Sequence, residues 1–422
     1  MRLTAESILR SFQISDKKHL FLTGARGIGK STLAKALTKL ITDTATEGTS
    51  FLPGITTTAI PGKQVLLTEN STNQSAVIGT FSDSESKTTR SGYSYADISG
   101  SIRNRFYTND TFPLQGNRMR PAIKGFFSLG IPALARAAES NSAWVCIDEL
   151  GYLETACPKF QEAVLTLLEK KSVLAVIRKQ DTPFLTALIH RDDAFVIDLD
   201  APIAPIGCVI MASGLSRRFG SNKLLEEFHG KSLISHTLEL TENRFLPKSL
   251  LSRRVVITRT PEVQAICRSA QVPVLLHNLP DRSDTVMLGI QALSGSFAET
   301  IHTADPLTNE FSAFNEPLLT GYMFCPADQP LISRESMEAL CLTFSQNPNY
   351  ICRLGTKERP GTPVIFPKHM SEELLTLPKG KGGSFLIKKY PEQVLYVPVG
   401  NDVELLDADT PEMLAALAQI SL

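Results

Sequence analysis

The run Gly24-Ala-Arg-Gly-Ile-Gly-Lys-Ser31 constrains this chain more than any other feature. It fits G-x-x-x-x-G-K-[ST] without a mismatch and lies between an apolar segment, 19–23, and an amphipathic one, 30–42. The pattern predicts a buried strand, a tight turn and a helix with Leu33, Leu37, Leu40 and Ile41 on its inner face. Glycines at 24, 27 and 29 let successive backbone N–H groups face one phosphate. The helix start adds partial positive charge. Lys30 is then in reach of β- and γ-phosphates, Ser31 of Mg²⁺, and Thr32 follows on the same turn.

A second element completes that site. The apolar run 143–147 ends in Asp148-Glu149, and a carboxylate at a strand end downstream of such a loop organises Mg²⁺. Asp148 takes that role, and Glu149 positions or activates an attacking water. The plainer alternative is that both carboxylates cap the following turn. Around them we expect hairpin strands at 64–68 and 76–79, strands at 172–177 and 194–198, and helices at 129–139 and 158–170. Residues 81–110, rich in Ser, Asp and Thr, read as a long loop. Strands alternating with helices indicate a mostly parallel α/β sheet.

Pro202 and Pro205 break the stretch 199–206, which reads as a linker. The βα alternation then restarts, with strands at 208–211, 254–258, 272–276 and 321–325 and a helix at 284–294. The reading is two α/β domains, 1–200 and 204–422. After the strand at 208–211 comes a longer loop with Gly214, Ser216, Arg218, Gly220 and Lys223. It lacks Gly-Lys-Ser, yet it has small residues first and cations later. Such a loop wraps a triphosphate with backbone N–H groups while Arg218 and Lys223 neutralise it. The competing reading is a basic surface loop.

Composition narrows the classes. Among 422 residues, 43 basic and 43 acidic side chains cancel, so no global charge points to nucleic acid or an anionic membrane. Seven widely spaced cysteines without a CxxC pair argue against a disulfide framework or a zinc site. The first residues form no secretory core but look amphipathic, with Ile8, Leu9 and Phe12 on one helical face, and no run of about 18 apolar residues spans a membrane. The cytoplasm is the expected compartment.

Resemblance adds to these readings. The first loop with Asp148-Glu149-Leu-Gly-x-x-Glu154 resembles the small P-loop nucleoside-triphosphatases, over about residues 17–200. That implies a P-loop three-layer sandwich, an ATP or GTP substrate and slow hydrolysis. The second loop, Met211 to Leu225, resembles the signature of the molybdenum cofactor cytidylyltransferases. Ala327-Asp-Gln-Pro-Leu331, Gly361-Thr-Pro-Val-Ile-Phe366 and Asp407-Ala-Asp-Thr-Pro-Glu412 continue the likeness, and Lys231 falls at a family lysine. The implied fold is a Rossmann-like nucleotidyltransferase sandwich. The implied reaction is attack by a phosphate monoester on the α-phosphate of CTP, releasing pyrophosphate, with a molybdopterin-type cofactor as acceptor. Asp328 and Asp409, with Asp407 as the alternative to the latter, would hold Mg²⁺. Thr410 and Pro411 also read as a helix start. Ser213, Ser283-Asp284-Thr285 and Lys379-Gly-Lys-Gly-Gly383 depart from the family pattern.

The leading expectation is therefore a bifunctional enzyme of molybdenum cofactor maturation, with a molybdenum hydroxylase apoenzyme as a candidate partner. A transferase acting on a sugar or polyol phosphate, and a nucleotide-gated cofactor carrier or insertion protein, are the alternatives.

Overall fold

The computed structural model describes residues 3–44, 51–60, 63–80, 119–216, 218–242, 251–294 and 318–420. The whole polar stretch expected as a loop at 81–110 lies outside them. The chain forms two compact units, Lys18–Val196 and Met1–Lys17 together with Ile197–Leu422.

The first sheet has eight strands: β1 (His19–Thr23), β2 (Gly54–Ile60), β3 (Gln64–Glu69), β4 (Ser75–Thr80), β5 (Arg120–Pro121), β6 (Trp144–Leu150), β7 (Ser172–Ile177) and β8 (Ala194–Asp198). Their order is β5-β4-β3-β2-β6-β7-β1-β8. β2, β6, β7 and β1 run parallel. β2 to β5 pair antiparallel, with β3 and β4 forming the hairpin expected at 64–68 and 76–79. The short connections after β2 and β3 explain this, because a parallel pairing needs a crossover of a dozen or more residues. β1 is buried at all five positions, as a central strand must be. Helices Lys30–Thr44 and Pro158–Lys170 form as the periodicity predicts. Helix Ile131–Glu139 starts two residues later than expected, after a π-type turn at Phe126–Gly130. Phe126 and Phe160 meet there, with ring centroids 4.8 Å apart. Helix Pro183–Ile189, capped by Thr182, was not anticipated.

The second sheet contains β9 (Ile206–Ala212), β12 (Leu251–Thr258), β13 (Val274–Leu276), β14 (Gly321–Pro326), β15 (Ile351–Gly355), β16 (Pro360–Pro367) and β17 (Val394–Val397). A small hairpin, β10 (Glu227–Phe228) and β11 (Lys231–Ser232), stands apart from it. The order is β13-β12-β9-β14-β16-β15-β17. β13, β12, β9 and β14 are parallel, and β16 is antiparallel to β14 and β15. The carboxyl ends of the parallel strands therefore lie together, where open α/β sheets bind ligands.

The division of the chain differs from the one drawn at 199–206. Residues 1–17 belong with the second unit, not the first. Helix Ala5–Ile14 buries Ile8 and Phe12 and bonds to helix Arg334–Gln346. An amphipathic pattern shows that one face is buried but not which partner covers it. All seven cysteines are unpaired with one another and buried.

Candidate functional site

In the unit Lys18–Val196 the loop after β1 takes three positive φ values, at Gly24 (138°), Gly27 (80°) and Gly29 (104°). A side chain is disfavoured there, which accounts for glycine at all three. Lys30 turns back over the loop, and its Nζ donates to the carbonyls of Gly24 and Ala25, each at 2.9 Å. Ser31 Oγ donates to Asp148 Oδ1 at 3.0 Å, joining the helix start to the end of β6. Burial pushes the Asp148 carboxyl above the usual range, and the Ser31 hydrogen bond opposes that shift. Two hard oxygen donors converging beside a phosphate loop fit Mg²⁺. Thr32 is exposed on the first turn.

Glu149 does not join this group. Its Oε1 accepts from Arg178 Nε at 2.8 Å, across the ends of β6 and β7. Beneath them Glu154 is fully enclosed and accepts from the Gly151 N–H at 2.7 Å. Burial drives its carboxyl up to about 7. Arg178 escaped the sequence reading, although the rule that located Asp148, a polar residue just past a buried strand, applies equally to the end of β7.

In the other unit the loop after β9 is fastened at both ends to β12 and its following turn. Leu279 N–H donates to His277 Nδ1, so the ring proton sits on Nε2 and faces Ser213 Oγ at 2.9 Å. Ser213 Oγ in turn donates to the Ile257 carbonyl. At the far end Asn222 Nδ2 donates to Thr260 Oγ1 at 2.9 Å. The serine that departs from the family pattern thus has its own partner. Ser216 (φ 46°) and Gly220 (φ 82°) make the turns between, and Ser216 Oγ accepts from the Lys223 N–H. Gly214 borders open space.

The charged residues meet beside this loop. Lys223 Nζ lies 2.6 Å from Asp328 Oδ2 and 2.8 Å from Asp409 Oδ1. Arg218 Nη2 lies 2.9 Å from Asp409 Oδ2. Although burial works against its charge, the two carboxylates hold the Lys223 ammonium above its ordinary range. The Lys223 hydrogen bond holds Asp409 below the usual carboxylate range. Asp407 behaves oppositely: burial and then the Asp328 charge push it up, and Gln329 Nε2 donates to its Oδ1 at 2.8 Å. Gln329 Oε1 accepts from Thr362 Oγ1, which ties the Asp-Gln-Pro and Gly-x-Pro motifs together. Asp328 and Asp409 already converge on one cation, the Lys223 ammonium, so their oxygens fit a divalent ion that takes its place. No cluster of three or more His, Cys, Asp or Glu ligands occurs among the described residues.

Thr410 caps helix Pro411–Leu417, as the sequence suggested. Lys231 is committed to Glu239 at 2.6 Å, and Lys379 and Lys381 are exposed.

Residues 208–394 match the MobA-like NTP transferase domain and residues 53–202 the NTPase family. Nucleoside-triphosphatase THEP1 of Thermotoga maritima is 22% identical over 189 residues, 43% of this chain and 86% of that protein. A probable molybdenum cofactor guanylyltransferase of Pyrococcus horikoshii is 39% identical over 70 residues, 17% of this chain and 34% of that protein. The solved structure of Rv0371c from Mycobacterium tuberculosis aligns with a TM-score of 0.39 at 19% identity, over 52% of this chain and all of the other. The chain thus joins an NTPase domain to a MobA-like nucleotidyltransferase domain.

Proposed function

Starting from an NTPase domain joined to a MobA-like nucleotidyltransferase domain, we propose that the second domain transfers CMP from CTP to the phosphate of a molybdopterin-type cofactor. The supporting observation is the Lys223 ammonium held between Asp328 and Asp409 beside the loop 213–223. When a triphosphate binds this loop, Lys223 and Arg218 turn their charge from the carboxylates to the phosphates. Asp328 and Asp409 are then left to hold Mg²⁺, which when bound neutralises charge on the reacting phosphate. No protein nucleophile is required. The acceptor phosphate attacks the α-phosphorus, the bond to the β-phosphate oxygen breaks, and pyrophosphate leaves with the two electrons of that bond. The loop, fastened through Ser213 and Asn222, supplies position, and Lys223 and Arg218 supply charge.

The first domain hydrolyses ATP or GTP, with Lys30 on the phosphates and Ser31 and Asp148 on Mg²⁺. This hydrolysis drives a coupled step such as release of the cofactor to a molybdenum hydroxylase apoenzyme.

One observation favours a second reading, GMP transfer, because the relative sharing 39% identity is named a guanylyltransferase. The test is pyrophosphate release by the full chain with Mg²⁺, molybdopterin, and CTP and GTP in competition. We expect CTP to have the higher kcat/KM. A tenfold preference for GTP, about 1.4 kcal/mol of discrimination, overturns the CMP reading and leaves nucleotidyl transfer standing. Turnover only with sugar or polyol phosphates overturns the acceptor.

A further inference from the structure

The N-terminal helix, residues 5–14, precedes the NTPase domain in the chain but is built into the transferase unit. Its anchor is Glu338, a carboxylate with no exposed surface on helix Arg334–Gln346. Oε2 of Glu338 accepts from the Thr4 N–H at 3.0 Å, the Thr4 hydroxyl at 3.2 Å and the Ser7 hydroxyl at 3.1 Å. Oε1 accepts from Arg334 Nε at 2.7 Å. A buried carboxylate needs such a set of donors, and three of the four come from the N-terminal segment.

The same helix reaches the scaffold of the acidic motifs. Arg10 Nη1 donates to Ser336 Oγ at 2.8 Å, one turn into the helix that directly follows Asp328-Gln-Pro. Its other terminal nitrogen lies so close to Gly400 that a Cβ there would stand 2.7 Å from it. Gly400 and Asn401 donate their N–H groups to Oε1 of buried Glu404, and Oε2 of Glu404 accepts from the Ser333 N–H at 2.8 Å. Glu404 therefore clamps the segment after Asp328 to the segment before Asp407 and Asp409. The Ala408 N–H then donates to the Asp328 carbonyl at 2.9 Å. Hydrogen bonds thus run from Arg10 through Ser336 and Ser333 to Glu404, and the backbones of Asp328 and Ala408, the neighbour of Asp407 and Asp409, are joined to each other.

We propose that the N-terminal helix is a positioning element of the transferase site, with Arg10 and Glu338 as positioning residues that set Asp328 against Asp409. The NTPase domain is in consequence an insertion, entered after Lys17 and left before Ile197, and not a module placed ahead of a self-sufficient transferase. The proposal rests on the nucleotidyl-transfer reading.

The experiment compares Glu338→Gln, Arg10→Ala and Arg10→Lys in the full chain. It measures pyrophosphate release, NTP hydrolysis and hydrogen exchange over residues 5–14. An amide offers one acceptor atom where the carboxylate offers two, so Glu338→Gln leaves either the helix donors on Oε2 or Arg334 Nε on Oε1 without an acceptor. For Glu338→Gln and Arg10→Ala we expect kcat for pyrophosphate release to fall tenfold or more. KM for the nucleotide should stay within about threefold, because the loop 213–223 is untouched, and hydrolysis should be unchanged. Arg10→Lys, which keeps a donor for Ser336, should recover most of the lost kcat. If exchange over the helix rises while kcat holds, the proposal is overturned. It is equally overturned if kcat, KM and hydrolysis all deteriorate together. Should Glu338→Gln not fold, Ser7→Ala removes a single donor and is judged by the same split. A wild-type chain that releases no pyrophosphate refutes the nucleotidyl-transfer reading, whereas an active wild type with indifferent variants refutes only the positioning role.

Discussion

Glu154→Gln should change how the stability of the unit Lys18–Val196 depends on pH. Glu154 is enclosed, and burial lifts its carboxyl from 4.5 to about 7. Between these values the native state holds a proton that the unfolded chain has lost, so stability falls as pH rises. Integrated from pH 5 to pH 8, the loss is about 2.5 kcal/mol. His19, buried beside β7, works in the other direction. Burial lowers its pKa from 6.5 to about 4, so the unfolded chain binds the extra proton and stability grows with pH, by about 2 kcal/mol over the same interval. The two nearly cancel in the wild type. Removing the ionisation of Glu154 while keeping an acceptor for the Gly151 N–H leaves the His19 contribution uncovered. The variant should gain about 2.5 kcal/mol relative to wild type between pH 5 and pH 8, whatever constant offset the new amide introduces. Urea unfolding followed by fluorescence of Trp144, the chain's one tryptophan, reads this unit because Trp144 lies on β6. A difference between variant and wild type that is the same at both pH values would refute the reasoning.

Three further variants probe the sites. Lys30→Ala should lower NTP hydrolysis a hundredfold or more, the scale of losing one charge-stabilising donor, and leave pyrophosphate release within twofold; parallel assays on one preparation check it. Asp409→Asn should cost about a hundredfold or more in pyrophosphate release, because Asp409 faces Lys223 and Arg218. Asp407→Asn should cost less than tenfold, since Asn keeps an acceptor for Gln329. It should also raise the melting temperature more at pH 7 than near pH 4, because a carboxyl raised above its ordinary 3.8 in the native state burdens that state increasingly as pH climbs past the ordinary value. Equal activity losses in the two variants would count against a distinct role for Asp409.

Features that depend on neighbouring residues were legible along the chain. The strand, glycine turn and helix around Gly24–Ser31 follow from backbone freedom and apolar period, and the structure has them where expected. The cap at Thr410 and Pro411 follows in the same way. The motif residues Ser31, Asp148, Arg218, Lys223, Asp328 and Asp409 were all legible as types at strand ends and in loops. Which of them meet is a matter of long-range packing. Lys223 and Asp409 are 186 positions apart, and nothing local distinguishes Asp409 from Asp407 until the fold turns one toward Lys223 and the other toward Gln329. Glu149 looked like Asp148's equal in the chain, but the end of β7 brings Arg178 to it. The N-terminal helix shows the same limit most plainly. Its periodicity announced a buried face, while the polar residues Thr4, Ser7 and Arg10 gave no sign of partners more than 320 positions away. Periodicity records how much surface a segment must bury, and chain connectivity carries no distance information about what buries it. That choice is made by the packing of the whole unit.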